Sequence, residues 1–358
     1  MQGIRDATRS YEQWLGDQIT INPADLKFKH EEMRTSPFSF LRATFYRWVQ
    51  LFPIAVPNAA SAPKLLAIGD LHVENFGTWR DAEGRLVWGV NDFDEATELP
   101  FSMDLVRLAT SIELARESNH LRIDLEGACE ALIEGYLDSI KSEGEPFVLE
   151  EKHTGLRRLA SGELRNPQPY WEKIQGLPEI DPDVSKDAKR IVRDSLPSDK
   201  MEHKLKARRA GLGSLGRIRV VAVGTWQGAL VAREVKELCS SAAAWADPTA
   251  SDRVRYDEIR KAAVRCHDPF VHQEGQWIVR RLGPDCSRIE LGQLPAERDE
   301  VRLIHAMGVE TANVHLGSES EIKHVRKWLE EQPKKWLKKA SAEMAERIQA
   351  DFESYSGD

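Results

Sequence analysis

Asp70, Asn75 and Asp92 are the residues whose types and spacing point most directly to chemistry. Asp70 and Asn75 lie five positions apart in Gly69-Asp70-Leu71-His72-Val73-Glu74-Asn75-Phe76-Gly77. Asp92 follows seventeen positions after Asn75, in Val90-Asn91-Asp92-Phe93-Asp94-Glu95-Ala96. Phosphoryl transfer asks little covalent chemistry of a protein. It asks for a carboxylate to orient the attacking hydroxyl and for oxygen ligands to hold Mg²⁺ on the phosphates. Mg²⁺ is a hard ion that takes carboxylate and amide oxygens, usually one or two of them from protein. Asp70 suits the catalytic role, and Asn75 and Asp92 suit the metal. Either Asp alone could equally be a turn residue at a strand end; the three together carry the reading.

A second group lies far downstream. Gly211, Gly213, Ser214 and Gly216 belong to Gly211-Leu212-Gly213-Ser214-Leu215-Gly216, a G-x-G-x-x-G pattern. Alone it also marks dinucleotide folds, where it follows a strand and opens a helix. Here a basic run over 204–209, read as helical, precedes it and a strand follows. Glycines let backbone N–H groups approach phosphates because no Cβ intervenes. Lys236 ends the next strand, twenty positions after Gly216, where a kinase places the lysine that grips the α- and β-phosphates. Glu258 is expected as its acidic partner, with Asp257 and Glu237 behind it. A strand over 277–282 is expected to lead to a hinge over the adenine ring.

The elements that must position these groups follow from periodicity. Ser36-Pro37 reads as an N-cap with proline in the first turn. Phe38, Leu41, Phe45, Trp48, Val49 and Phe52 then repeat at helical spacing as a core face, and Pro53 is expected to end the run. Short apolar runs at 65–68 and 86–90 read as strands that deliver Asp70 and Asp92, with a turn at 81–84 between them. Helices are expected over 103–118 and 124–142. The polar, proline-dotted stretch 143–200 reads as a boundary with some short helix inside it. Strands are expected at 218–223, 230–236 and 276–282, and helices from about 296 onward.

Bulk composition is that of a globular protein. The chain has 358 residues, 41% hydrophobic and 30% charged, with net charge -8. A nucleic-acid binder acting through its general field is usually basic, so no nucleic-acid partner is expected. The basic stretch 323–339 is interleaved with acids and reads as a solvated face. No apolar run approaches the ~18 residues of a membrane span, and no secretion signal is visible. The four cysteines are scattered without a CxxC pair, as in a reducing compartment. A cytoplasmic location is expected, and oligomeric state is silent.

Asp70-Leu71-His72-Val73-Glu74-Asn75 resembles the D-L-H-x-x-N catalytic loop of aminoglycoside phosphotransferases and choline kinases. Asp92-Phe93-Asp94-Glu95-Ala96 is similar to that family's metal-binding motif, and Asp104-Leu105 with Ala109 to its D-L-A helix start. The resemblance implies that Asp104 ties the catalytic loop down. Ile68 departs from it, since that family usually has His there. Leu66-Ala67-Ile68-Gly69-Asp70-Leu71-His72 also looks like the first motif of calcineurin-type metallophosphoesterases, but the later motifs of that family are missing.

Only 68 residues precede Gly69, and they read as helical, so the nucleotide lobe has to lie downstream. This order resembles the bacterial DUF2252 family. The matching strings are Ser36-Pro37-Phe38-Ser39-Phe40, the run 69–77, the run 91–95, the run 211–216 and Val235-Lys236-Glu237. Ala312-Asn313-Val314-His315-Leu316 alters that family's usual ending. The resemblance implies an α+β, bilobal protein-kinase-like fold in circularly permuted order. A mostly helical catalytic lobe (1–200) precedes a small antiparallel β-sheet nucleotide lobe (201–290), and C-terminal helices (291–358) complete the helical lobe. The expected function is ATP- and Mg²⁺-dependent phosphoryl transfer to an unidentified small-molecule or protein hydroxyl. The alternatives are a non-catalytic nucleotide-binding regulator, AMP transfer from the same pocket, and a metallophosphoesterase.

Overall fold

The computed structural model describes residues 2–117, 121–150, 152–160, 166–286 and 299–357. Helices come first: α1 (Ile4–Gln18), α2 (Pro23–Glu32), α3 (Pro37–Ala43), α4 (Phe45–Ala55) and α5 (Pro57–Ala60). Ser36 caps α3 as expected, accepting from the Ser39 N–H at 3.1 Å. The aromatic face forms two helices rather than one, broken at Thr44, and its members are buried together in the main core. Pro53 lies inside α4 instead of ending it. Only two further residues of the helix follow, so the ring disturbs little more than the last turn.

β1 (Lys64–Ala67) is followed by a 3-10 turn (Val73–Asn75), β2 (Phe76–Arg80), β3 (Leu86–Val90) and β4 (Thr97–Pro100). β1 pairs antiparallel with β4, and β2 with β3 as a hairpin. Next come α6 (Phe101–Glu117), α7 (Leu125–Ser142), β5 (Phe147–Val148), α8 (Thr154–Ala160), α9 (Pro167–Gln175) and α10 (Lys186–Asp194). β5 adds to β3.

β6 (His203–Ala207), β7 (Arg219–Trp226) and β8 (Ala229–Glu237) lead into short helices α11 (Ala242–Ala246) and α12 (Tyr256–Ala262). β9 (His272–Glu274) and β10 (Trp277–Leu282) complete an antiparallel sheet of order β6-β7-β8-β10-β9. The run 204–209 therefore begins as a strand, not a helix: His203 to Ala207 pair with Gly224 to Val220. Alternating Lys204-Leu205-Lys206 suits an edge strand, and edge lysines discourage further pairing. One sheet face packs on α10 through Ala188, Ile191 and Val192, and the other packs on Ile174 of α9. The proline-dotted stretch thus supplies helices that cover the sheet. The expected boundary at 290/291 lies outside the described residues.

The chain closes with α13 (Glu300–His315), α14 (Glu319–Glu330) and α15 (Trp336–Ser356). α13 packs along α7, and α15 along α6, so C-terminal helices share the core with the first 156 residues. Among the described residues no helix is long and apolar enough to cross a membrane. The fold is mixed α+β with small antiparallel sheets.

Gly69 sits at φ +86° between β1 and Asp70, and a Cβ there would lie 2.6 Å from the Glu95 carbonyl oxygen. Only glycine meets both conditions without strain. Gly69→Ala is expected to cost about 1–3 kcal/mol, read as a lowered urea midpoint; an unchanged midpoint would show that the turn relaxes freely.

Candidate functional site

The site is built on the loops that follow β1 and β3. Asp104, buried in the first turn of α6, accepts from the N–H groups of Ile68 (2.7 Å) and Gly69 (2.8 Å). Its Oδ2 also lies 2.9 Å from His315 Nε2, and His315 Nδ1 lies 2.9 Å from the Tyr136 hydroxyl. Hydrogen bonds to a carboxylate are about twice as strong as neutral ones. This chain of contacts pins the loop carrying Asp70 to α6, α7 and α13. Sequence reading left His315 without a role; its partner lies more than two hundred positions away.

Asp70 is gripped by Arg107, three residues beyond Asp104 on the same face of α6. Nε donates to Asp70 Oδ1 at 2.9 Å, and Nη2 reaches the same oxygen as well as the Leu41 carbonyl at 2.8 Å. The guanidinium lies 5.1 Å from the centre of the Phe45 ring and 4.9 Å from that of Trp48. Burial pushes the Asp70 carboxyl up to about 7, with Glu95 and Asp92 adding to the rise and Arg107 opposing it. Its side chain keeps 18% exposure. A carboxyl that titrates near neutrality is matched to taking a proton at physiological pH.

Asn75 and Asp92 leave the open end of the β2–β3 hairpin side by side. Phe76 pairs with Val90, and the Asn91 N–H donates to the Asn75 carbonyl at 2.9 Å. Asn75 Oδ1 accepts from the His72 N–H at 2.7 Å. An amide oxygen has two lone pairs, so one remains beyond that bond. Asp92 is the most exposed acid of the group, at 30% against 9% for Asp94. Among the described residues no group of three or more His, Cys, Asp and Glu side chains is arranged to hold a metal. Side-chain oxygens near this place come from Asn75, Asp92 and Asp94.

Lys236 reaches Asp92 and Asp94 from β8. Its Nζ lies 3.2 Å from Asp92 Oδ1 and also bonds Asp94 Oδ1. Burial pushes the ammonium down, and the two acids oppose that. Burial likewise works against ionisation of Asp92, but Lys236, the hydrogen bond with Asp94, and Arg280 and Arg219 outweigh it and hold the carboxyl low. Asp94 is pushed up, by burial first and then by Asp92. Glu258 is not the partner of Lys236. Arg255, three residues earlier on the helix, takes it at 2.6 Å. α12 instead turns Tyr256 toward the lysine, with Nζ 5.8 Å from the ring centre.

The glycine segment lies between β6 and β7 and approaches Asp70. A Cβ on Gly213 would stand 3.0 Å from Asp70 Oδ2 and 3.1 Å from the Arg42 carbonyl oxygen. The Gly213 carbonyl accepts from Lys29 Nζ at 3.1 Å. Burial pushes this lysine down to about 8. Gly211 and Gly216 have φ of +74° and +98°. Ser214 Oγ accepts from Arg219 at 2.7 Å. Arg217, next after Gly216, donates to Asp94 (3.3 Å) and Glu95 (3.1 Å). Glu95 also accepts from the Ala242 N–H at 2.7 Å.

Asp70, Asn75, Asp92, Gly213 and Lys236 are thus brought together, and Glu258 is left outside. Asp94, Arg107, Arg217 and Lys29 were missed. Asp94 was visible inside the acidic string, and Arg107 stands one helical turn from Asp104. Nothing in spacing announces Lys29 or Arg217.

Residues 22–166 match the DUF2252 family. That family is described as an uncharacterized protein conserved in bacteria. The matched stretch supports the DUF2252 resemblance and includes Asp70, Asn75, Asp92 and Asp104, while Gly211 to Lys236 lie beyond it. No curated protein and no solved structure matches the chain.

Asp70 in the fold titrates above its ordinary value of 3.8. The stability linked to its protonated form is therefore full below about pH 4 and is lost as pH rises through about 7. Asp70→Asn does not titrate. The stability difference between variant and wild type should move in favour of the variant by roughly 2–3 kcal/mol between pH 5 and pH 8. Parallel urea-midpoint profiles of the two proteins across that range would contradict the assignment.

Proposed function

We propose that this protein is an ATP- and Mg²⁺-dependent phosphotransferase with a kinase-like, circularly permuted, two-lobed fold. One observation carries the reading. Lys236 bonds Asp92 and Asp94, and Gly213 rests on Asp70, so two groups more than a hundred positions apart line one cleft. The five-stranded antiparallel sheet supports it further, with the glycine segment between its first two strands and Lys236 on the third.

Donor chemistry fits Mg²⁺ and a nucleotide. Asn75 and Asp92 offer hard oxygens to Mg²⁺, and the glycine segment offers backbone N–H groups to phosphates. Bound Mg-ATP supplies the phosphoryl group and the metal charge that balances its oxygens. The rest falls to the chain. Asp70, held in place by Arg107 and by the Asp104 anchor, orients the acceptor hydroxyl and takes its proton. Lys236 moves its ammonium from Asp92 and Asp94 toward the phosphates. Asp94 and Arg217 keep the lysine and the glycine segment in register.

A regulator that binds nucleotide without transfer is the second reading, favoured by the contact of Gly213 with Asp70. ATP binding with no label leaving the γ-phosphate would support it. Label from the α-phosphate on an acceptor would indicate AMP transfer instead.

The test uses γ-labelled ATP, Mg²⁺ and a bacterial extract as acceptor source. Wild type is expected to transfer label, Asp92→Ala to lose Mg²⁺-dependent transfer with unchanged circular dichroism, and Asp70→Asn to lose about 10²–10⁴-fold in rate. Equal transfer by Asp92→Ala and wild type would sink the reading.

A further inference from the structure

Three arginines converge on one buried carboxylate beside the glycine segment. Register places Glu234 and Lys236 on one face of β8, with Arg280 of β10 opposite Glu234 and Arg219 of β7 opposite Lys236. Side chains two apart on a strand share a face. Wholly buried Glu234 accepts from Arg208 Nη1 (2.6 Å), Arg219 Nη1 (3.1 Å) and Arg280 Nε (2.6 Å). Arg219 reaches on to Ser214, so the cluster sits directly under the glycine segment.

The charges do not balance. Three guanidinium groups share one carboxylate. When the linked Lys236, Asp92, Asp94, Arg217 and Glu95 are included, five cations face four acids among the described residues. Among the described residues the Arg219 Nε–H is buried without a hydrogen-bond partner. A buried donor left without a partner is costly, and an uncompensated buried charge costs more. An anion would remove both costs. Arg208 and Arg280 keep 27% and 24% exposure, so the cluster is open at its outer edge. The guanidinium fork matches phosphate oxygens in pairs, and Glu234 holds the three forks in fixed orientation.

We infer that Arg208, Arg219 and Arg280 bind the phosphate chain of the nucleotide directly, so that nucleotide binds this cleft without a metal ion. Mg²⁺ is then required for transfer and not for binding. This rests on the nucleotide-binding reading of the cleft. It goes further by assigning charge neutralisation of the phosphates to the protein.

Calorimetry on the full chain tests it with three probes: ATP with Mg²⁺, ATP in excess EDTA, and inorganic tripolyphosphate in excess EDTA. ATP in EDTA is expected to bind within about tenfold of Mg-ATP, and tripolyphosphate to compete with it. Arg280→Lys and Arg208→Ala should each weaken binding in EDTA by about tenfold or more. Ligand-free thermal midpoints show that the variants fold. Arg208, partly exposed at the end of a strand, serves as the safer substitution. Binding of ATP only with Mg²⁺ would overturn the inference and leave the functional reading standing. So would variants that bind tripolyphosphate as wild type does. Binding of ATP in neither condition would overturn the nucleotide reading itself.

Discussion

A buried ammonium must meet acids or give up its proton, and Lys236 meets two. Its Nζ is enclosed between Asp92 and Asp94 at the seam where the five-stranded sheet faces the loop after β3. Stripping water from these charges costs several kcal/mol each, recovered only through close geometry. The seam therefore constrains everything around it. Asp94 must be positioned by Arg217, Arg217 by Glu95, and Glu95 by the N–H of Ala242. Breaking any one contact leaves a buried charge with fewer partners than it has now.

The same network sets the glycine segment. Arg217 follows Gly216 directly, so the ion pairs that hold the acidic loop also fix where the glycine turn descends. Gly213 then rests on Asp70, and Lys29 reaches its carbonyl from α2. Asp70 is thus surrounded by Arg107 from α6, the glycine turn, and an amine from the N-terminal helices.

A different economy holds beneath the loops. Asp104, His315 and Tyr136 are fully enclosed and pair with one another and with the turn at Ile68 and Gly69. Such a satisfied polar chain makes its environment specific, since a misplaced member would be left unpaired in a low-dielectric interior. Loops tied to packed helices are held more exactly than loops tied only to each other. α13 contributes His315 from the far end of the sequence, which makes the C-terminal helices part of the support for residues 68–70.

Much of the plan was legible in the chain. Aromatic spacing identified the core face of α3 and α4, and the short apolar runs placed Asp70 and Asp92 at strand ends. Glycine spacing marked the turn between β6 and β7. These features follow from local rules, because a strand, a cap or a tight turn depends on a few neighbouring residues. Strand β6 was misread, because its lysines follow helix-like composition while pairing with β7 decides its state. Pro53 was misread because a ring in the last turn of a helix costs little. The partner of Lys236 was misassigned for a deeper reason. Sequence determined which residues carry charge and most of the segments that are strands or helices. Only the tertiary structure decided that Arg255 takes Glu258, that Asp94 reaches Lys236, and that three arginines share Glu234, because burial makes each charge choose among the partners that packing brings within reach.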